Sequence, residues 1–472
     1  MGTEATSRVC SGPLENVAIP VQHTITTMAF IHPIQALATI GNDSIIFTVV
    51  KNVIMAFQQQ SSGEYKQIGE WADTYDRSDS IKEKVSKEQE RQIQENIKKQ
   101  KDNEGNSVPK KVSQAKVPVP GPGAPRIYSC IRNLIVTKNG GKLISCADSD
   151  KSVLIFKIDL SNKTNCLELL KRQPFPKRPN AITISDDEST VIMADKFGDV
   201  YSIPIEGEPI TNINEELDPI LGHVSMLTDV LFKTDSKGKR FLITTDRDEH
   251  IKVSHFPQSF IVDKWLFGHK EFVSSVCSPA WKSNFLFSAG GDDSVYLWDW
   301  EAGKKLAEFN YSEAVKPYLG DNHLAPSRFQ NENNDVIEYA VSKIVAFSTA
   351  PYVAFFVEAT KVLFILKVDS EKETFTLSKT IDLPYNVISL ESVQGDELVV
   401  SLDNRDSGNN DFVKFIKYDA ANDDFTVDDA KSKAVDTCLK QFSNSEKLVV
   451  ESADVYPLYS ITTLKKHGEH YS

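Results

Sequence analysis

Apolar residues along this chain come in short runs, each about the length of a β-strand and bounded by Gly, Asn, Asp or Ser. Residues 25–30 and 45–50 flank the turn Gly41-Asn42-Asp43. Residues 133–136, 142–145 and 153–158 repeat that order around Asp148-Ser149-Asp150, and 181–185, 190–194 and 199–205 repeat it around 195–198. The clearest group spans 268–300, GHKEFVSSVCSPAWKSNFLFSAGGDDSVYLWDW. It holds three apolar segments, with Gly290-Gly291-Asp292-Asp293 as a tight turn before the last. Later runs lie at 337–348, 352–358, 362–368, 387–390, 398–402 and 412–418. Runs this short, punctuated by turn residues, predict strands rather than helices. Two stretches break the rhythm, 58–125 and 311–335, and beyond Tyr418 the chain is acidic and weakly patterned until 447–450.

The group at 268–300 opens with Gly-His and closes with Trp-Asp, the signature of a WD40 repeat, which forms one four-stranded propeller blade. A second starts at Gly222-His223 and reaches DRDEHIKVSHF at 246–256, with Ser254 where Trp is expected. Aligning the two places Asp248 with Asp292, Thr244 with Ser288 and Lys252 with Tyr296. At roughly 40–45 residues per repeat, seven repeats use about 280–315 residues, and arithmetic alone leaves six or eight open. The expected fold is an all-β, seven-bladed WD40 β-propeller with a long charged insertion after the first blade. The expected boundaries are an N-terminal segment at 1–20, a first blade at 21–57, a flexible charged insertion at 58–125, the remaining blades at 126–460 and a tail at 461–472. Within the insertion, IKEKVSKEQERQIQENIKKQKD mixes charges of both signs and carries no sustained apolar seam, which predicts a solvated helix rather than a coiled coil. Closing the ring removes exposed sheet edges, so a strand near Pro20 is expected to complete the last blade.

His269, Ser288, Asp292 and Trp298 are expected to form a structural tetrad: the carboxylate orients the imidazole, the hydroxyl relays, and the indole N–H finds a buried acceptor. His, Ser and Asp are also the groups of a hydrolytic triad, but no Gly-x-Ser-x-Gly elbow surrounds Ser288 and the repeat spacing already accounts for each residue. No phosphate-binding glycine loop, His-Glu-x-x-His or EF-hand pattern occurs. The sequence therefore predicts no catalytic residue, no metal site and no cofactor of its own.

A net charge of −13 argues against a surface made chiefly for nucleic acid. The six cysteines are scattered without a Cys-x-x-Cys pair, fitting reduced thiols in the cytosol or nucleus. There is no secretory pattern at the N-terminus and no apolar run of membrane-spanning length. Met1-Gly2 followed by Thr6-Ser7 comes near a myristoylation pattern without matching it. Lys98-Lys99 and Lys110-Lys111 read either as solvated charge or as a nuclear-import signal.

The segment Asp-Arg-Asp-Glu-His-Ile-Lys at 246–252 packs charge densely into a turn. It reads as a self-neutralising solvated turn, or as a rim where Arg247 and Lys252 present cations to a partner's carboxylates. Further wording narrows the choice. GHVSMLTDV (222–230), DRDEHIKVSHFPQ (246–258), FIVDKWLFGHKEFVSS (260–275), KPYLGDNHLAPSRFQNENND (316–335), AFFVEATK (354–361), PYNVISL (384–390) and KKHGEHYS (465–472) together resemble the fungal non-catalytic WD-repeat subunit of the tRNA (guanine-N7-)-methyltransferase. The resemblance runs from about Ala181 onward. It implies a propeller without an active site, bound as a heterodimer to a catalytic methyltransferase that carries S-adenosylmethionine and methylates a guanine of the tRNA variable loop. It further implies that Lys252, and secondarily Arg247, meet that partner, while His223 and Asp248 serve the blade. tRNA is expected mainly on the partner, no membrane is involved, and the nucleus, with the cytoplasm as a further site, is the implied location. A generic WD40 scaffold, such as a ubiquitin-ligase substrate receptor, is the competing class.

Overall fold

In the central strands of each repeat, consecutive side chains point to opposite faces of the sheet and both faces are apolar. In the strand Ile45–Val50 every residue is buried, the mark of a sheet covered on both sides. The computed structural model of the chain describes residues 29–41, 44–75, 78–101 and 130–467. Within them lie seven four-stranded antiparallel sheets, each built from four strands consecutive in sequence. The first strands of the sheets are Ala36–Ile40, Ile131–Val136, Pro179–Ile184, Leu227–Thr234, Val273–Cys277, Val341–Ala346 and Val387–Val393. Each touches the first strand of the next sheet, and the last touches the first. The sheets are thus blades of a closed seven-bladed propeller, with the first strands around the axis.

Between neighbouring blades sits one apolar cluster. Leu286, on one face of its sheet, joins Ile243 and Val253 of the fourth blade. The next residue, Phe287, joins Phe355 and Phe364 of the sixth. A period-two pattern that buries both faces of every blade therefore glues the ring together, with about 25 cal/mol contributed per Å² of apolar surface removed from water.

Two expectations change. The fourth strand of the first blade is Tyr65–Ala72, so that blade runs past Phe57 and the insertion cannot begin at Gln58. The strand lies at the rim, where most of its positions are only half-buried, so its composition reads polar. The helix expected in the insertion is there, Ser78–Lys101, with side-chain pairs such as Glu88–Arg91 and Arg91–Glu95 on its surface. Ring closure also differs: the last blade is completed by its own segment, Asp424–Val427. The termini instead meet in a separate two-stranded clasp, Phe30–Ile31 against Val449–Val450. Next to it the helix Asp429–Lys440 packs Val435, Cys438 and Leu439 into the cluster between the seventh and first blades. Pro20, the Met1-Gly2 pattern and Lys110-Lys111 lie outside the described residues.

Chain direction fixes which loops share a face. The first strand of each blade starts at one end of the ring and the second returns to it. The turn between second and third strands, and the connection from each fourth strand to the next blade, therefore lie at that same end, called here the upper face.

Candidate partner-docking face

In the fifth blade the four residues expected to interact are brought together. His269 Nδ1 lies 3.0 Å from both carboxylate oxygens of Asp292, and Nε2 lies 2.7 Å from Ser288 Oγ. Trp298 Nε1 donates to the same hydroxyl at 2.8 Å. His269, Ser288 and Trp298 are buried, and the Ser288 hydroxyl is engaged by both the imidazole and the indole. The turn after Ser288 needs its glycines: a Cβ on Gly290 would stand 1.9 Å from the Phe272 carbonyl oxygen.

The fourth blade repeats this plan with different residues. His223 Nδ1 lies 2.8 Å from Asp246 Oδ2, and Nε2 lies 2.8 Å from Thr244 Oγ1. Thr244 therefore stands where Ser288 does, but the carboxylate is Asp246 and not Asp248. Asp246 also accepts the backbone N–H groups of Asp248 and His250. Asp248 instead accepts from Ser225 Oγ and pairs with Lys466, each at 2.5 Å. The expected role of Asp248 in the blade thus belongs to Asp246, because the fourth blade reaches its turn carboxylate two residues sooner after the hydroxyl.

Lys252 pairs in register with Thr244, as Tyr296 does with Ser288. Its side chain does not project as a free cation: the residue is 5% exposed. The ammonium donates to the Gly222 carbonyl at 2.6 Å and lies 5.1 Å from the centre of the Trp265 ring. Burial lowers its pKa, with Asp246 acting in the opposite direction. An ammonium carries three donors, and among the described residues Gly222 supplies its one hydrogen-bond acceptor.

Arg247 is also not presented freely. Its Nε donates to Leu464 O at 2.7 Å and its Nη2 reaches Lys465 O at 3.5 Å. It holds down a C-terminal segment that crosses the upper face. The Glu358 carboxylate anchors that segment by accepting the backbone N–H groups of Ser460, Ile461 and Thr462 at 2.6, 2.7 and 2.9 Å. Farther along, His467 stacks on Phe329 at 3.7 Å and bonds Glu338 at 2.5 Å.

Above Lys252 lies a feature that motif reading passed over. Trp265 is 37% exposed and Phe267 70%. Their rings stack at 6.2 Å, and His250 meets both edge-on at 5.3 and 6.4 Å. Val224, beside Gly222, is fully exposed. The signal was present in the sequence: Trp265 lies near the end of the fourth strand Val262–Leu266, where the fifth blade carries Glu308, and Phe267 follows directly after it. An apolar aromatic cluster open to solvent marks an interaction surface. Among the described residues no group of His, Cys, Asp and Glu is arranged to hold a metal, no disulfide is formed, and no helix is long and apolar enough to cross a membrane.

Comparison with known proteins points the same way. The family model described as the tRNA methyltransferase TRM82 WD40 domain matches residues 46–216 and 206–421. A Vanderwaltozyma polyspora protein named tRNA (guanine-N(7)-)-methyltransferase non-catalytic subunit TRM82 is 56% identical over 455 residues, spanning 94% of this chain and 100% of the relative. Relatives of the same name from Kluyveromyces lactis and Saccharomyces cerevisiae are each 52% identical, with the same coverage. Among solved structures, U3-55K and the RRP9 WD40 repeats each align with a TM-score of 0.51 at 14% identity. Each alignment covers 80% of this chain, with 92% and 91% of theirs, a likeness of fold alone.

Proposed function

We propose, from the premise that the chain belongs to the TRM82 WD40 family of tRNA methyltransferase subunits, that its fourth blade is the seat of a catalytic methyltransferase. The chain is a non-catalytic subunit of a tRNA (guanine-N7-)-methyltransferase, in keeping with relatives of that name over their full length. Its partner is read as a catalytic subunit joined to it as a heterodimer. That partner carries S-adenosylmethionine and most of the tRNA contacts and methylates a guanine of the variable loop. The nucleus, with the cytoplasm as a further site, remains the proposed location.

The observation that carries the docking site is the under-satisfied ammonium of Lys252 beneath the exposed Trp265–Phe267 pair. A carboxylate from the partner supplies the missing acceptors and offsets the desolvation that lowers the lysine's pKa, while the two rings bury against apolar surface around it. A charged centre ringed by aromatic contacts that exclude water is how interface energy concentrates. Arg247 acts one step back in this reading, by shaping the turn through the C-terminal segment. By binding only the folded, active form of the enzyme, the propeller raises that form's population through mass action.

The test is reconstitution. The purified chain incubated alone with tRNA and S-adenosylmethionine gives no methyl transfer, and adding the catalytic subunit in equal amount restores it. Methylation by the chain alone, or recovery of a ligase adaptor in place of a methyltransferase, contradicts the proposal.

A further inference from the structure

We propose that the lower end of the fourth blade, opposite its upper face, docks an acidic segment of a further protein. That segment inserts one large apolar side chain into a cleft between two turns of the blade.

The strands Leu227–Thr234, Arg240–Asp246, Ile251–His255 and Val262–Leu266 are antiparallel in that order, and the first starts at the upper face. The turns at 235–239 and 256–261 therefore both lie at the lower end. They are tied together by the Phe256 N–H, which donates to the Arg240 carbonyl at 2.9 Å. Between them opens a cleft of about 460 Å³, lined by Lys239 and Arg240 on one turn and by Phe256, Gln258 and Ile261 on the other. The Phe256 ring meets Phe232 edge-on at 5.1 Å, which fixes the apolar wall. A concave site with apolar walls and a few polar groups at its mouth is suited to taking up a side chain.

Apolar surface continues from the cleft onto the outer edge of the blade. Phe260 is 77% exposed, Ile261 46% and Val262 38%. The turn that carries them is held by its own hydrogen bonds. Ser259 is buried and its N–H donates to Pro257 O at 2.8 Å, while the Ile261 N–H donates to Gln258 O at 2.9 Å. The His255 N–H in turn donates to Ile261 O at 3.0 Å. Three consecutive apolar residues are thus presented to solvent from a fixed backbone. The equivalent turn of the fifth blade, 300–303, instead buries its large apolar residue, Trp300. Val262–Leu266 is also the outermost strand of its sheet, so its free backbone edge can pair with an extended segment.

Charge decides the kind of segment. Lys237, Lys239 and Arg240 fall in one turn and are all exposed. The carboxylates around them are committed elsewhere. Asp235 Oδ1 accepts the backbone N–H groups of Lys237 and Lys239 at 2.9 and 2.7 Å. Glu301 accepts from Ser236 Oγ at 2.7 Å, and Asp263 pairs with Lys264 at 2.7 Å. Among the described residues Arg240 reaches one carboxylate, Asp187 at 3.9 Å, and the ammonium groups of Lys237 and Lys239 reach none. In a chain of net charge −13, this turn is a local positive excess beside an apolar cleft, complementary to a segment of the opposite sign. Ile261 and Val262 are aliphatic and give a nucleic-acid base no stacking face. A bilayer would meet only what protrudes and leave the cleft unfilled. Trp265 lies near the other end of the strand Val262–Leu266, so the occupant and the catalytic subunit approach this blade from opposite ends.

The experiment uses the full chain, alone and in complex with the methyltransferase. The probes are fluorescein-labelled peptides with a central Leu, Ile or Phe flanked on both sides by Asp and Glu, read by fluorescence anisotropy. Wild type binds them saturably, and matched peptides with Lys in place of the acids do not bind. Phe260→Ser lowers affinity about 10-fold or more, as expected for loss of one buried aromatic contact. Lys237→Gln combined with Lys239→Gln lowers it about 3- to 5-fold at about 50 mM salt and less at about 500 mM, because exposed ion pairs are screened. Melting temperature and association with the methyltransferase stay unchanged in these variants, and the complex binds the peptides as tightly as the free chain. Binding by the free chain but not by the complex would assign the cleft to the catalytic subunit and overturn the proposal. So would wild-type affinity in Phe260→Ser, or no binding of any peptide in the set. Phe260-dependent capture of anionic phospholipid vesicles or of RNA in place of the peptides would overturn it as well.

Discussion

Lys252 and Trp265 are register partners across the third and fourth strands of the fourth blade, with the ammonium 5.1 Å from the centre of the indole ring. The lysine is buried by its own chain and the tryptophan is partly open. The charge is thus held in the blade, and the aromatic pair is what solvent, or a partner, meets first.

Replacing Trp265 by Ala leaves the ring core intact, because the residue lies on the blade's rim, and removes the centre of the proposed interface. Affinity for the catalytic subunit should fall by about 2 kcal/mol or more, as at aromatic hot spots. Phe267→Ala should cost about 1 kcal/mol. Isothermal titration of the purified subunits reads both, and wild-type affinity in Trp265→Ala places the contact elsewhere.

Ser288→Ala strands the Trp298 indole N–H and His269 Nε2 together in a buried site. Loss of stability of roughly 1–3 kcal/mol is expected by urea unfolding, with partner affinity of the folded protein unchanged. A loss of methylation in the complex larger than the loss of folded protein would revive a chemical role for the tetrad.

A buried carboxylate should give the native state an unusual pH profile. Asp436 accepts the Phe412 and Val413 N–H groups at 2.9 and 3.1 Å. Burial raises its pKa to about 7 against the opposing pull of those bonds. A carboxyl whose folded pKa lies above its unfolded value favours the native state while protonated. Its contribution therefore declines as pH rises from about 4 to 7 and is flat above. Wild type should lose on the order of 1–4 kcal/mol between pH 5 and 8 relative to Asp436→Asn. Parallel stability profiles of the two proteins would refute this.

Glu358→Ala removes the anchor of the C-terminal segment without touching the fourth blade. Proteolysis within 456–467 should accelerate, and amide exchange at Arg247 and Asp248 should quicken as their partners Leu464 and Lys466 are released. Unchanged protection at these amides would separate the segment from the turn.

The propeller and its tetrad were legible because Gly-His, Trp-Asp and the period-two runs are demanded by packing that recurs in every blade. The rim strands were less so. Tyr65–Ala72 is mostly half-buried and Asp424–Val427 buries only Phe425, and half-exposed edges dilute the apolar pattern. Asp246 was missed because alignment ran forward from the paired strands, whereas counting from the histidine gives the same interval in both blades, His223 to Asp246 and His269 to Asp292. Lys252 was located by wording, but its burial was not visible, since it depends on Trp265 closing over it from a different strand.

Association of the catalytic subunit with Lys252→Met tests the central claim most directly. Methionine keeps the stem's packing and removes the charge, whereas Lys252→Glu would set a second carboxylate beside Asp246. By titration against the methyltransferase, affinity should fall by about 2–5 kcal/mol with the melting temperature of the isolated propeller essentially unchanged. Affinity equal to wild type in a folded Lys252→Met protein would contradict the account.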